Sequence, residues 1–443
     1  MSLGGYIRRT LFWHTDAKKN DGFIRQQYDI ISKAICQPSF AKSVQDEYLA
    51  QMLNYMTAYS PFYSNYDPHK GLEQFPVMTK FDLIKYHDEM AINPALIPNQ
   101  KGKVFVQKTS GSTGTPFSMP QDTRKRQRRI AEIKAFSALD GYESHEPMAQ
   151  CRVWTKWQSK TSQQAKRENI YPVNVLTIDD ESLSSVCDLI AQKRIIAIRG
   201  YASWFTSLMN YLKRRPKQYK KLKTLKIGIT HSEALDDMTR DFFLEALNCQ
   251  LCECYANEEN GIFGQQKLGS HSYELNNTGY VFECLKLDSN DPAEFGELGR
   301  IVVTDLHQHA FPVIRYDTGD TGVFSPLTPE GSLLKLEKLF GRKLDLVYDS
   351  EGTPIHPMSF NRILKNIEGL QQWQFAQTDR TSYELRLITA SNFNERNCKQ
   401  ELEAFLGPHA TLEVVHVEAI PSLRSGKHRS VVCEWNEKNA NRN

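Results

Sequence analysis

Lys108-Thr109-Ser110-Gly111-Ser112-Thr113-Gly114-Thr115-Pro116 follows Val104-Phe105-Val106, an apolar run that reads as a strand. Glycines and hydroxyls at this density let a backbone approach an anion closely and offer it N–H and O–H donors. The stretch is not a Walker A loop, because the Gly-Lys-[Ser/Thr] ending is absent and Pro116 blocks an immediate helix. It is not a hydrolase nucleophile elbow, since no Gly-x-Ser-x-Gly is present. Read alone, it fits a phosphate-binding loop and a Ser/Gly surface loop alike, so the rest of the chain must decide.

Upstream, the first ~90 residues have helical periodicity. Ile24, Tyr28, Ile31 and Ile35 share one face, as do Leu49, Met52, Leu53 and Met56, and Ser60-Pro61 ends the second helix. Downstream, strand and helix patterns alternate. Ile195 to Ile198 stops at Gly200, and Trp204, Leu208 and Leu212 follow at helical spacing. Leu225, Ile227 and Ile229 alternate as a strand; Met238, Phe242 and Ala246 form the next helix; Leu251 to Tyr255 and Ile301 to Val303 are extended. This order predicts an α/β fold, layered, with a parallel-rich sheet. After Phe340-Gly341-Arg342 the texture shifts to short strands and two helices, including a turn at Asp349 to Gly352, a strand through Tyr383, Leu385 and Leu387, and a helix through Cys398, Leu402 and Phe405. The expected organisation is a large α/β N-terminal domain over 1–340 and a small α+β C-terminal domain over 341–443.

A chain of 443 residues exceeds one ordinary core, in keeping with two domains. Its 55 basic and 52 acidic residues leave a net charge of only +3, which argues against a dedicated nucleic-acid binder. Nine cysteines at irregular spacing indicate a reducing compartment. The N-terminal residues lack an apolar signal region and no stretch has the apolar length of a membrane span, so a cytoplasmic location is expected.

Four further stretches turn the opening loop into a pattern. Tyr255-Ala256-Asn257-Glu258-Glu259 ends a strand with two carboxylates suited to a Mg²⁺ ion beside phosphates. Arg315-Tyr316-Asp317-Thr318-Gly319-Asp320 ends another with a carboxylate able to accept from paired hydroxyls. Gly341-Arg342 opens the small domain, and Pro421 to Lys427 places a lysine on a late loop. Taken in order, these resemble the adenylate-forming superfamily of acyl-CoA synthetases, adenylation domains and luciferase-like enzymes. Thr109 to Pro116 resembles its Thr-Ser-Gly-[Ser/Thr]-Thr-Gly-x-Pro loop, Tyr255 to Glu259 its Tyr-Gly-x-[Thr/Ser]-Glu, Tyr316 to Asp320 its Tyr-x-Thr-Gly-Asp, Gly341-Arg342 its hinge, and Ser425-Gly426-Lys427 its catalytic-lysine loop. Ala58-Tyr59-Ser60-Pro61-Phe62-Tyr63, Phe311-Pro312-Val313-Ile314-Arg315-Tyr316 and the short C-terminal domain resemble the phenylacetate–CoA ligase-like and CapK-like branch, which includes capsule and polysaccharide biosynthesis proteins.

The resemblance implies ATP-dependent activation of a carboxylate to an acyl-adenylate with release of pyrophosphate. Transfer to an acceptor follows: CoA first, otherwise a carrier protein or the amine of an amino sugar. It implies that the small domain is mobile and that Lys427 is catalytic. Lys108, Thr109, Ser110, Gly111, Ser112, Thr113 and Gly114 would surround the ATP phosphates, and Glu259 would hold Mg²⁺. Ser232, Glu233, Tyr255, Asp320 and Arg342 would contact adenine and ribose, and Tyr201 and Gly261 would line the acyl pocket. Two positions depart from the family pattern. Glu258 replaces a Thr or Ser that donates to the α-phosphate, and Leu344 with Asp345 displaces the hinge Asp by one residue. These departures keep open a non-catalytic nucleotide-binding scaffold.

Other patterns are read structurally. Cys249, Cys252 and Cys254 are expected as buried strand cysteines rather than zinc ligands, because alternate strand residues point to opposite faces. His307 and His309 are expected on an exposed turn. Arg124 to Arg129 is expected on the solvated face of a helix capped by Thr123, with Ile130, Ile133 and Phe136 inward.

Overall fold

The computed structural model describes the chain except for residue 1 and residues 109–117, 155–159, 177, 329–330, 344–345, 356, 365–366, 390–392, 421–429 and 436–443. Two compact units emerge: Met1–Glu146 with Cys254–Leu339, and Pro147–Glu253 with Phe340–Asn443.

The first unit opens with helices α1 (Leu3–Lys19), α2 (Phe23–Cys36) and α3 (Pro38–Tyr59). Ile24 and Ile31 of α2 and Met52, Leu53 and Met56 of α3 are buried, the faces their spacing predicts. Ser60 is extended ahead of Pro61 and ends α3. Short helices α4 (Lys80–Lys85) and α5 (His87–Met90) follow, α4 starting from a capping box between Thr79 and Asp82. Strands β1 (Phe105–Lys108) and β2 (Ser118–Gln121) form an antiparallel hairpin in which Lys108 pairs with Ser118. Helix α6 (Thr123–Leu139) comes next.

Residues 147–253 deliver the predicted alternation: β3 (Met148–Arg152), α7 (Ser162–Glu168), β4 (Ile170–Asn174), α8 (Asp180–Lys193), β5 (Ala197–Tyr201), α9 (Ala202–Arg214), β6 (Ile227–His231), α10 (Asp237–Leu247) and β7 (Gln250–Asn257). β3 pairs in parallel with β4 and β5, and β5 with β6. Each crossover passes through a helix, as parallel neighbours require. Ile198, Phe205, Leu208, Phe243 and Leu251 fill the core of this segment.

Beyond Cys254 the pairing changes. β8 (Gly261–Gln266), β9 (Tyr273–Leu275), β10 (Tyr280–Leu285), β11 (Leu298–Asp305), β12 (Tyr316–Pro326) and β13 (Leu334–Arg342) run through short connections. β7 with β8, β8 with β9, β10 with β11, β11 with β12 and β13 with β9 all pair antiparallel. Among β3 to β6 the pairing is parallel, with a helix between consecutive strands, whereas these later pairs are antiparallel. A core of Tyr63, Phe75, Met119, Phe263, Tyr280, Ile301 and Phe311 unites the N-terminal helices with these strands.

Residues 347–433 hold a separate hydrophobic cluster around Phe360, Phe375, Leu385, Leu402 and Val431. The hairpin β14 (Val347–Tyr348) and β15 (Pro354–Ile355) encloses the expected turn, where the Asp349 side chain accepts from Glu351 N and Thr353 N. Helix α11 (Pro357–Leu364) leads to β16 (Leu370–Gln377), β17 (Ser382–Thr389), α12 (Glu395–Leu406), β18 (Thr411–His416) and β19 (Val431–Cys433), with sheet order β18-β17-β16-β19. The small α+β arrangement agrees with the sequence reading. Among the described residues no helix is long and apolar enough to cross a membrane. Every cysteine is a free thiol, and Cys249, Cys252 and Cys254 are buried, as expected of strand cysteines.

Candidate active site

Both strands of the β1–β2 hairpin grip the acidic turn after β7. Gln107, one residue before Lys108, donates from Nε2 to Glu258 Oε2 at 3.0 Å. Gln121 at the far end of β2 donates to the Glu259 carbonyl at 3.2 Å. Arg129 of α6 donates to the Glu258 carbonyl at 3.0 Å and lies 3.8 Å from its carboxylate. The chain entering and leaving the 109–117 segment is thus bonded to the turn bearing Glu258 and Glu259. Thr109, Ser110, Gly111, Ser112, Thr113 and Gly114 themselves lie outside the described residues, as do Lys427, Leu344 and Asp345.

This geometry resolves the first departure from the family pattern. A carboxylate at 258 would repel a nucleotide if it faced one bare. Here Arg129 and Gln107 engage it, so its charge is met within the protein.

Glu259 is mostly sheltered, its side chain 12% exposed, and its Oε1 lies 3.9 Å from Lys80 Nζ at the start of α4. Among the described residues no cluster of three or more His, Cys, Asp or Glu could cage a metal. A single sheltered carboxylate fits the way Mg²⁺ binds beside substrate phosphates, with one or two protein oxygens and the remaining ligands from phosphate and water.

Tyr255 and Asp320 meet in the same unit. The buried Tyr255 hydroxyl donates to Asp320 Oδ2 at 2.9 Å and lies 3.5 Å from Thr318 Oγ1. Burial first, and the adjacent Asp320 charge second, push the Tyr255 phenol well above its ordinary range, so it remains a donor. The Asp320 N–H is bonded to Thr318 Oγ1 at 3.1 Å, which fixes the strand around it. Arg315, at the head of this motif, has a strained φ of +48°. Its guanidinium forks onto Glu283 at 2.8–3.1 Å and donates to the Phe75 carbonyl, so its role is to hold β12.

Gly261 has φ +125°, and a Cβ there would lie 3.0 Å from Glu132 Oε2 and 3.2 Å from the Tyr280 hydroxyl. Packing and backbone conformation require this glycine, whatever else it does.

In the second unit the structure brings together Tyr201, His231, Ser232 and Glu233. Glu233 Oε2 accepts from Ser203 N at 2.8 Å in the first turn of α9, and the rings of Tyr201 and His231 meet edge to face at 5.2 Å. Ser232 holds φ +72°, unusual for a non-glycine, with its hydroxyl 3.0 Å from His231 Nδ1. Arg342 is half-buried at the end of β13.

Two readings are overturned. Helix α6 is capped by Asp122, whose side chain accepts from Lys125 N, and not by Thr123. Arg126 is exposed as expected, but Lys125 and Arg128 face inward and are fully buried, while Ile130 and Ile133 are 39% and 45% exposed. Inward partners outweigh periodicity. Lys125 pairs with Asp305, and Arg128 is held by Glu132, Gln27, Asn276 and Thr278. Of the predicted inward residues only Phe136 is buried.

The other correction concerns His307 and His309. His307 and Gln308 are buried, His307 Nε2 pairing with the Thr278 carbonyl at 2.9 Å. His309 N donates to Asp122 Oδ2 at 2.9 Å. Burial first, then Arg128, drives His307 well below the ordinary histidine range; burial also lowers His309 and pushes His145 down to about 3. The folded chain keeps these rings neutral while the unfolded chain protonates them below pH ~6.5. Stability is therefore complete above that pH and lost as pH falls through it, by up to about 1.4 kcal/mol per pH unit for each ring. Urea midpoints at pH 7.5 and pH 5.5 should show this slope, and His307→Gln should flatten it.

Sequence reasoning missed Lys80, Gln107, Gln121, Arg129, Lys125 and Asp305. Gln107 and Gln121 were within reach, since they flank the glycine-hydroxyl stretch on strands that face each other.

The CapK C-terminal domain family matches residues 347–434. No curated protein matches the chain in sequence. Among solved structures it is similar to 2-hydroxyisobutyryl-CoA ligase in the postadenylation state, in complex with R3-HIB-AMP, at TM-score 0.71 and 16% identity over 92% of each chain. It is also similar to ATP-bound MatB from Rhodopseudomonas palustris, at TM-score 0.54 and 14% identity over 76% of this chain and 67% of that one. The anthranilate CoA ligase AuaEII in complex with anthranoyl-AMP aligns at TM-score 0.54 and 15% identity, over 73% and 64%. At these identities the likeness establishes the fold of the adenylate-forming ligases. The family match is confined to residues 347–434, and over the rest of the chain the likeness is one of fold.

Proposed function

We propose that the chain joins a small organic acid to ATP, forming an acyl-adenylate, and passes the acyl group to CoA. One observation carries the reading: the strands flanking the glycine-hydroxyl stretch are hydrogen-bonded to the turn presenting Glu259. A triphosphate-binding segment and a Mg²⁺-suited carboxylate then belong to one place. Because the chemistry is displacement at phosphorus, the protein acts mainly by positioning and by neutralising charge.

In the first half-reaction a carboxylate oxygen attacks the α-phosphorus, the bond to the β-phosphate bridging oxygen breaks, and pyrophosphate leaves. Lys108 to Gly114 receive the phosphates, and Asp320, oriented by Tyr255, accepts from the ribose hydroxyls. By the motif resemblance Ser232, Glu233 and Arg342 are assigned to adenine and ribose, and Tyr201 to the acid. Mg²⁺, when held by Glu259, neutralises phosphate charge. Lys427 stabilises charge shared between the α-phosphate and the attacking carboxylate. In the second half the acceptor thiol attacks the acyl carbon, AMP departs, and the thiol proton goes to solvent. The engaged state of Glu258 favours this catalytic reading over a non-catalytic scaffold.

The match of 347–434 to the CapK C-terminal domain favours a second acceptor, the amine of an amino sugar. Carboxylate-dependent ATP–pyrophosphate exchange tests the first half-reaction across a panel of aromatic, aliphatic and amino acids. Exchange with one class is expected; bound Mg·ATP without exchange for any acid would sink the proposal. Adding CoA, then amino-sugar nucleotides, and measuring AMP release decides the acceptor. If CoA gives no extra AMP, a CoA ligase is untenable, and only AMP released on adding amino-sugar nucleotides would favour the amine over a carrier protein.

A further inference from the structure

Lys125 and Asp305 are both fully buried, with Lys125 Nζ 2.5 Å from Asp305 Oδ2. Withdrawing two charges from water costs several kcal/mol each, and an apolar pair of similar volume commonly serves stability as well or better. The pair therefore calls for a reason beyond packing. Its neighbours supply one. Asn260 Nδ2 donates to the same Asp305 oxygen at 3.1 Å. Lys125 Nζ lies 3.4 Å from the Tyr280 hydroxyl, which donates to the Asn260 carbonyl at 2.9 Å. Asn260 closes the acidic turn: its N–H donates to Asn257 Oδ1 at 2.7 Å, and Asn257 Nδ2 returns a bond to Asn260 Oδ1 at 3.1 Å. Glu258 and Glu259 lie between these two asparagines.

We infer that Lys125 and Asp305 are a positioning pair that locks Asn260 and so aims Glu259 at the metal. This rests on the reading of Glu259 as a Mg²⁺ ligand. Asp305 works through Asn260 alone, because its other oxygen Oδ1 is taken by His307 N at 3.0 Å. Lys125 lies against Asp305 and beside the Tyr280 hydroxyl, so it fixes the position of both. Without the charged pair the turn keeps its bonds from Gln121, Arg129 and the Tyr280 hydroxyl but loses the Asp305 bond that fixes the Asn260 side chain. Outer-shell groups of this kind typically change metal affinity ~10–100-fold when removed.

The test uses the full chain, Mn²⁺ as the spectroscopic probe and ATP, without acid. In Lys125→Met with Asp305→Leu, Mn²⁺ affinity of the ATP complex by electron paramagnetic resonance should fall about tenfold or more. Metal-free ATP affinity should stay within about twofold, and circular dichroism should show the double variant folded. Asn260→Ala should weaken the parent similarly and add nothing in the double variant, since both act on one anchor. Mn²⁺ affinity unchanged in the folded double variant, or Asn260→Ala fully additive to it, overturns the inference alone. A parent that binds no Mn²⁺ with ATP overturns the proposed function, and this inference with it. Should the double variant fail to fold, Tyr280→Phe keeps both charges and removes only the hydroxyl on Asn260. It should weaken Mn²⁺ about threefold, and no change overturns the inference.

Discussion

Lys427→Ala is expected to lower carboxylate-dependent ATP–pyrophosphate exchange by about two to three orders of magnitude, a loss of ~3–4 kcal/mol of barrier stabilisation. Charge builds on the α-phosphate and the entering carboxylate as the new bond forms, and a point charge aimed there acts in the transition state more than in the ground state. Binding should therefore survive. Mg·ATP affinity, measured by calorimetry without acid, should change by no more than a few-fold while exchange collapses. An exchange rate within about tenfold of the parent would remove Lys427 from the chemistry. A matching loss of ATP affinity would recast it as a binding residue.

The second large effect concerns stability. Lys125→Met leaves Asp305 buried with its cationic partner gone, and breaking a fully buried pair from one side costs ~3–5 kcal/mol. Asn260 and the His307 N–H still bond to Asp305, yet neither carries a compensating charge. The urea midpoint should fall accordingly, and adding Asp305→Leu should restore only part of the loss, since it removes the lone charge but leaves the His307 N–H without its acceptor. A Lys125→Met chain as stable as the parent would mean that water reaches this pair, contrary to its burial.

The legibility of this chain followed the reach of each signal. Local periodicity identified α2, α3 and α9 and the strands β5, β6 and β11, because their buried faces are largely apolar and little competes with burial there. It failed on α6, where the inward face is cationic. No pattern within 123–139 announces Asp305, Thr278 or Gln27 as partners, and these lie far away in the chain. His307 and His309 misled for the same reason, since a histidine looks like surface until its carbonyl and amide partners are known. The pairing of Tyr255 with Asp320 was legible as two motifs but not as a bond. Likewise Glu258 could be marked as an anomaly, while the glutamine and arginine that engage it lay on other elements.

The thiols give these variants a common gauge. Cys36 is exposed, whereas Cys151, Cys187, Cys249, Cys252, Cys254, Cys398 and Cys433 are shut inside. Burial raises Cys187 to about 12 and Cys398 to about 11, so almost none of either ionises near neutrality. Alkylating reagents should tag the native chain at Cys36 first. Further mass additions under denaturant would then count molecules that have opened, reading each substitution's stability without a dye or a fusion partner.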